Sequence, residues 1–267
     1  MTARPDPTAP RRPRLLAVPG ILPLLTFLIL IAVWEGGTRA FGVPTFVLPP
    51  PSRVIQGFGA VETTRWLTHV WATLRVALIG FAVAIAVSLP LAIGLAKSRL
   101  LSRAIYPLLV VIQSVPVVAV APIIIVVLGT DDAPRVVITF MISFFPLVVS
   151  MTTGLMATPP ELIELSRSLR ASQFREISQI RLPYATPYIF SGLKISVTLA
   201  VIGAVVAEFI AAEAGLGYFI QFSTSMFRLP QAWSGLVLLV MISLALFQLV
   251  SLVQRVFYGW SLPKDRP

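Results

Sequence analysis

The sequence predicts an all-α integral membrane protein with about six transmembrane helices. Three observations carry that expectation. Hydrophobic residues make up 57% of the 267-residue chain and charged residues only 12%, with a mean hydropathy of +0.89. A soluble globule of this size has no interior large enough to hide that much apolar surface, so its solvent is lipid. The apolar residues fall into six runs, each roughly the 20 residues that a helix needs to cross the hydrocarbon. The arginines and lysines concentrate in alternate connections between those runs, which is the bias of the positive-inside rule.

Residues 1–14 hold four prolines and four arginines with almost no apolar content. They cannot form a core and are expected as a disordered cytoplasmic tail. No small-residue cleavage site closes the run that follows, which argues against a signal peptide. The six runs are Leu15–Trp34, Val76–Ala96, Ala104–Leu128, Val136–Met156, Pro187–Ala212 and Leu229–Gln254. None alternates with the period of two of a crossing strand, and a helix satisfies all its backbone groups within one segment. The expected organisation is therefore the tail 1–14, a membrane domain 15–260, and a cytoplasmic tail 261–267.

With the N-terminus inside, the cytoplasmic segments hold 14 basic residues and the outer segments six, so both termini are expected in the cytoplasm. The net charge of +10 belongs to these loops and does not point to nucleic acid. Zero cysteines and a single histidine, His69, exclude a disulfide scaffold and make a His/Cys metal site untenable. His69 is expected at the outer interface. The outer segment Glu35–Thr73 contains Leu48-Pro49-Pro50-Pro51-Ser52, which cannot be helix interior, and Val54–Trp71 is expected as a short surface helix. No repeat of the six-run unit is visible, which weakens a stand-alone carrier built from duplicated halves.

The connection 157–184, between the fourth and fifth spans, is the informative loop. Thr158, Pro159 and Glu161 form a capping-box pattern with proline at the first helical position. Leu162, Leu165 and Leu169 then share one helix face. Ser172 is placed to cap a second short helix with Phe174, Ile177 and Ile180 on its apolar stripe, and Leu182-Pro183 is expected to end it. Two amphipathic helices of this kind suit docking to a partner or lying on lipid headgroups.

Glu164-Leu165-Ser166, three residues, Arg170, nine residues, then Ile180-Arg181-Leu182-Pro183 resembles the coupling signature of permease subunits of binding-protein-dependent ABC importers. That signature is Glu-Ala-Ala, three residues, Gly, nine residues, Ile-x-Leu-Pro. The spacing matches throughout, and Glu164, Ile180, Leu182 and Pro183 match in identity. Leu165, Ser166 and Arg170 depart from it. Leu48-Pro49-Pro50-Pro51-Ser52, Gln113-Ser114-Val115-Pro116, Ala121-Pro122 and Gly215-Leu216-Gly217-Tyr218 are similar to the nitrate/sulfonate/taurine branch.

The resemblance implies a type I ABC importer permease fold in a bacterial cytoplasmic membrane. It implies partners: cytoplasmic ATP-binding subunits, an extracytoplasmic solute-binding protein and a second permease copy, in membrane lipid. It implies no cofactor in this chain, with ATP and Mg bound by the partner ATPase; no Gly-x-x-x-x-Gly-Lys-Ser/Thr loop is present. ATPase coupling would fall to Glu161, Glu164, Leu165, Ser166, Arg170, Phe174, Ile180, Leu182 and Pro183. The branch suggests nitrate, sulfonates, taurine or nitrogen heterocycles as solutes, and spans almost free of basic residues lean toward a neutral or aromatic one. A stand-alone secondary transporter is the alternative.

Arg170 stands where the family has glycine, and its backbone is expected to stay right-handed, because a left-handed arginine costs on the order of 1 kcal/mol. Gln113, Ser114 and Pro116 interrupt an apolar helix and are expected at a cavity. Glu208, inside the fifth span, is expected to be paired, hydrated or on the translocation path. Lys194 lies about 21 Å along the helix from Glu208, too far to pair with it, and is expected to snorkel. Ser143, Ser150, Thr152, Thr153, Ser196 and Thr198 read as helix–helix contacts, and Phe144-Phe145-Pro146 as core.

Overall fold

A computed structural model of the chain describes residues 21–262. The tail over 1–14 and all but the first two residues of 261–267 lie outside the described residues. Among the described residues the chain is helical and has no strand. The helices are α1 (Ile21–Ala40), α2 (Pro51–Gly59), α3 (Thr63–Lys97), α4 (Arg99–Ser114), α5 (Val117–Leu128), α6 (Asp132–Met156), α7 (Pro160–Ser168), α8 (Gln173–Arg175), α9 (Leu182–Ala211), α10 (Leu216–Ser225) and α11 (Leu229–Phe257). A π-helical stretch, Glu176–Arg181, joins α8 to α9.

The centre of the bundle is α3, α6 and α9, with α6 and α9 the most extensively packed pair. In lipid such contacts are held by close van der Waals fit, because the tails are as apolar as the side chains. Small residues supply the fit. A Cβ on Gly203 of α9 would sit 2.8 Å from Thr139 Cα of α6. Ser150 of α6 faces Gly192 of α9, while Ser143 and Ser196 are fully buried. The Ser143 hydroxyl donates to the Thr139 carbonyl at 2.8 Å. Ser143, Ser150 and Ser196 thus sit in the packed interior, whereas Thr153 is exposed and Thr198 is half-buried.

Two apolar cores stack along this trio. One surrounds Trp66, Phe81, Leu216 and Phe219. The other, toward the end that carries residues 157–184, surrounds Leu95, Leu147, Met151 and Leu155. We call that end the loop end and the opposite one the far end.

Two sequence expectations are corrected here. Val54–Trp71 is not one surface helix. It splits at residues 60–62, and Thr63 starts a 35-residue helix, about 52 Å long. That exceeds a bilayer core of about 30 Å, so α3 is longer than an upright crossing needs, and its first turns lie against α2. Trp66 ties them down by donating its indole N–H to the Phe58 carbonyl at 3.2 Å. The third run is not one straight span either. Val115 is extended (φ −76°, ψ 121°) and Pro116 has no N–H to donate, so α4 and α5 meet at 90°.

The proline-rich segment before α2 also has a physical account. Pro51 opens the helix, where no N–H is needed. The next amide, Ser52, donates to Glu35 Oε2 of α1 at 3.0 Å, and the Ser52 hydroxyl donates to Oε1 at 2.8 Å. An acidic side chain from α1 thus caps α2.

Candidate functional site

The connection 157–181 folds as a braced hairpin. Its first helix starts one residue later than the capping box implies. Pro160, not Pro159, occupies the first helical position, and the residue before a proline is pushed to extended backbone (Pro159 φ −54°, ψ 133°). Thr158 therefore does not cap α7, and its hydroxyl donates to the Leu155 carbonyl at 3.2 Å.

The expectation for Arg170 is overturned. Its φ is +54°. The Ala171 amide donates to the Ser166 carbonyl and the Arg170 amide to the Arg167 carbonyl, each at 2.9 Å. This is a Schellman closure with arginine in the left-handed position that glycine takes at lower cost. The two closing bonds and the tight turn into α8 outweigh the penalty of about 1 kcal/mol. Ser172 then caps α8, accepting from the Arg175 amide at 3.4 Å.

Leu182-Pro183 does not end the second helix. The wider π-helical turns before it absorb the missing proline N–H, and the helix runs unbroken from Gln173 to Ala211. The brace is Glu176, which the sequence reading missed. It is buried and accepts from Arg181 at 2.9 Å and from Arg167 of α7 at 3.3 Å. Burial penalises its charge, but the two guanidinium groups more than compensate and hold the carboxyl below its usual range. The signal was an acid set inside an apolar stripe with arginines nearby, which a one-dimensional pattern does not resolve.

Of the residues that the resemblance implicates in coupling, Glu161, Glu164, Leu165, Arg170 and Phe174 are exposed, Ser166 is buried, and Ile180, Leu182 and Pro183 are half-buried. Leu165, Leu169 and Phe174 are 57%, 74% and 78% exposed. The amphipathic stripe thus points away from the bundle.

A second feature lies at the α4–α5 break. A cavity of about 620 Å³ there is lined by Gln113, Pro116, Phe140, Phe144, Phe145 and Leu199 among others, none of them charged. The Phe140 and Phe144 rings are 5.1 Å apart. Phe144-Phe145-Pro146 is therefore a cavity wall as well as core. Ser114 does not line it; its hydroxyl donates to the Val110 carbonyl at 2.9 Å.

Glu208 is elsewhere, at the far end, and 1% exposed. Its Oε2 accepts from the Gly217 amide at 2.7 Å. The Leu216 amide donates to the Thr73 hydroxyl at 2.8 Å, and the Gly215 amide to His69 Nδ1 at 3.1 Å. His69 is thus buried at the far end, and with Nδ1 accepting it carries its proton on Nε2. Three side chains from α3 and α9 receive the first three amides at the start of α10. Gly215 (φ +131°) is required, since a Cβ there would sit 2.2 Å from the Glu208 carboxyl carbon. Lys194 does not follow the snorkelling expectation alone: its Nζ lies 6.0 Å over the Phe247 ring.

Comparison with known proteins agrees with this geometry. Residues 84–259 match the family model described as binding-protein-dependent transport system inner membrane component. A riboflavin transport system permease protein of Chloroflexus aurantiacus is 34% identical over 237 residues, 88% of each chain. A formylaminopyrimidine transport permease protein of Halalkalibacterium halodurans is 32% identical over 238 residues, 89% of this chain and 95% of that one. In fold, a chain of the inward-facing MetNI methionine ABC transporter superposes with a TM-score of 0.64 at 20% identity, covering 73% of this chain and 98% of that one.

Proposed function

This chain belongs to the family of binding-protein-dependent transport system inner membrane components, and from that premise we propose how it works and what it carries. It is a multi-pass permease subunit of an ABC importer, served by ATPase subunits and a solute-binding protein. In our reading two copies enclose one path. The loop end and both termini face the cytoplasm, in keeping with the fourteen basic residues on that side. ATP and magnesium are held by the ATPase subunits, and this chain supplies no cofactor.

The observation that carries the reading is the braced hairpin. Its exposed leucines and phenylalanine offer an apolar face to a partner. Glu176 locks α7 to the rod that continues as α9. A push on the hairpin is therefore transmitted to the central span of the bundle rather than absorbed in a flexible loop.

The solute is an uncharged, planar nitrogen heterocycle. Support comes from the charge-free cavity, where an anion would have no counter-charge. The phenylalanine faces suit stacking, and the Gln113 amide suits a ring heteroatom. The two relatives named above for riboflavin and formylaminopyrimidine transport point the same way.

The test is uptake by vesicles that hold the permease with its ATPase and binding protein. ATP-dependent uptake of a heterocycle, lost in Glu164→Lys with the complex still in the membrane, is expected. Uptake without ATP would replace this reading with a stand-alone carrier. Preference for taurine or nitrate would overturn the substrate class and leave the importer intact.

A further inference from the structure

We propose that the loop end contains a binding pocket for a phosphate-ester anion, most simply the headgroup of an anionic phospholipid. The pocket rests on the reading of this chain as a membrane permease, and not on the nature of its solute. A cavity of about 780 Å³ lies where the last turns of α3 and α6 meet the first turns of α4 and α7. Lys97, Arg103, Arg167 and Arg181 line it, against the single carboxylate of Glu164. Glu176, which pairs with Arg167 and Arg181, is not among the lining residues. Lys97 and Arg103 are exposed and make no ion pair among the described residues.

One helix N-terminus adds to the positive field. The nine-residue α7 begins at Pro160, itself a lining residue. α7 has no side-chain cap, and Glu161 in its first turn offsets only part of its positive end. Cationic side chains that converge on one cavity with a helix N-terminus favour a bound anion.

The remaining wall selects among anions. Leu95, Ala96, Met156 and Ile163 share the cavity with the cations. A free phosphate has no use for them, whereas a phospholipid sets its ester anion on the cations and its glycerol and upper acyl carbons on the apolar wall. The position fits as well, since the cavity lies at the ends of two spans, where basic pockets between helices take anionic lipid.

The experiment uses the full-length chain in nanodiscs of phosphatidylcholine, with or without a minor fraction of phosphatidylglycerol. Retained lipid is read by native mass spectrometry and stability by thermal unfolding. Wild type should keep phosphatidylglycerol through detergent release and unfold at a higher temperature when it is present. The Lys97→Ala/Arg103→Ala variant should lose at least tenfold in retention and all of the thermal shift, while its stability in pure phosphatidylcholine is unchanged. Arg53→Ala/Arg65→Ala, with the same charge loss at the far end, should behave as wild type.

Inorganic phosphate added to pure phosphatidylcholine discs separates the two sources. A thermal shift that depends on Lys97 and Arg103 would support the anion pocket with a soluble occupant. Equal retention of both lipids, or equal retention by wild type and the loop-end variant, would overturn the proposal. Unchanged lipid retention with loss of ATPase association in that variant would also overturn it, assigning the basic residues to a protein contact. None of these outcomes bears on heterocycle uptake, so the failure of one reading is distinguishable from that of the other.

Discussion

Replacing Glu208 tests whether the start of α10 is held by side chains of other helices. Its Oε2 receives the Gly217 amide at 2.7 Å in a site that is 1% exposed. In Glu208→Ala that amide is left buried with no acceptor, which costs about 1–3 kcal/mol. Loss of a negative charge at a helix N-terminus adds about 0.3–1 kcal/mol. The sum is roughly 1–4 kcal/mol, before any cavity cost. Glu208→Gln keeps an acceptor oxygen and the side-chain volume and loses the charge, so about 1 kcal/mol is expected. Thermal unfolding in nanodiscs ranks the variants, and amide hydrogen exchange at residues 215–217 localises the effect. Glu208→Ala should speed exchange most at Gly217, because His69 and Thr73 still hold the neighbouring two amides. Destabilisation under about 0.5 kcal/mol, a change within the range of ordinary surface substitutions, with unchanged exchange at Gly217, would refute the reasoning.

Two further changes probe the hairpin. Arg170→Gly should stabilise the protein by about 1 kcal/mol, since glycine takes a φ of +54° without the Cβ penalty, and thermal unfolding reads the gain. Glu176→Gln removes the partner of Arg181, whose side chain is only 12% exposed. It should cost about 2–3 kcal/mol, at or below the low end for a broken buried pair because the site is not fully dry. It should also lower transport per ATP hydrolysed more than it lowers assembly with the ATPase, which a transport-to-hydrolysis ratio in vesicles checks.

Much of the hairpin was legible in one dimension. Ser172 caps the second helix as its position implies, and the leucines of α7 share a face because a 3.6-residue period requires it. The errors fall where two local rules compete. Thr158 and Pro159 satisfied a capping pattern, but Pro160 imposed extended backbone on its neighbour and moved the start by one residue. Leu182-Pro183 read as a stop, yet a π-helical turn accommodates proline without ending the rod. The sign of φ at Arg170 was misjudged because local propensity was weighed without the two hydrogen bonds that close the turn.

Lipid solvation leaves its mark on composition alone. The rough extent of the apolar runs, the alternation of basic connections between them and the spacing of the loop motif could all be read from residue order, since each depends on neighbours within a few turns. The 90° bend after Ser114, the charge-free cavity in its crook and the seating of α10 on His69, Thr73 and Glu208 could not. Glu208 and Thr73 are far apart in the chain and reach the same helix end only because α3 and α9 pack side by side. A buried carboxylate's partner is set by which backbone amides the fold brings within about 3 Å, and no pattern of neighbouring residues encodes that distance.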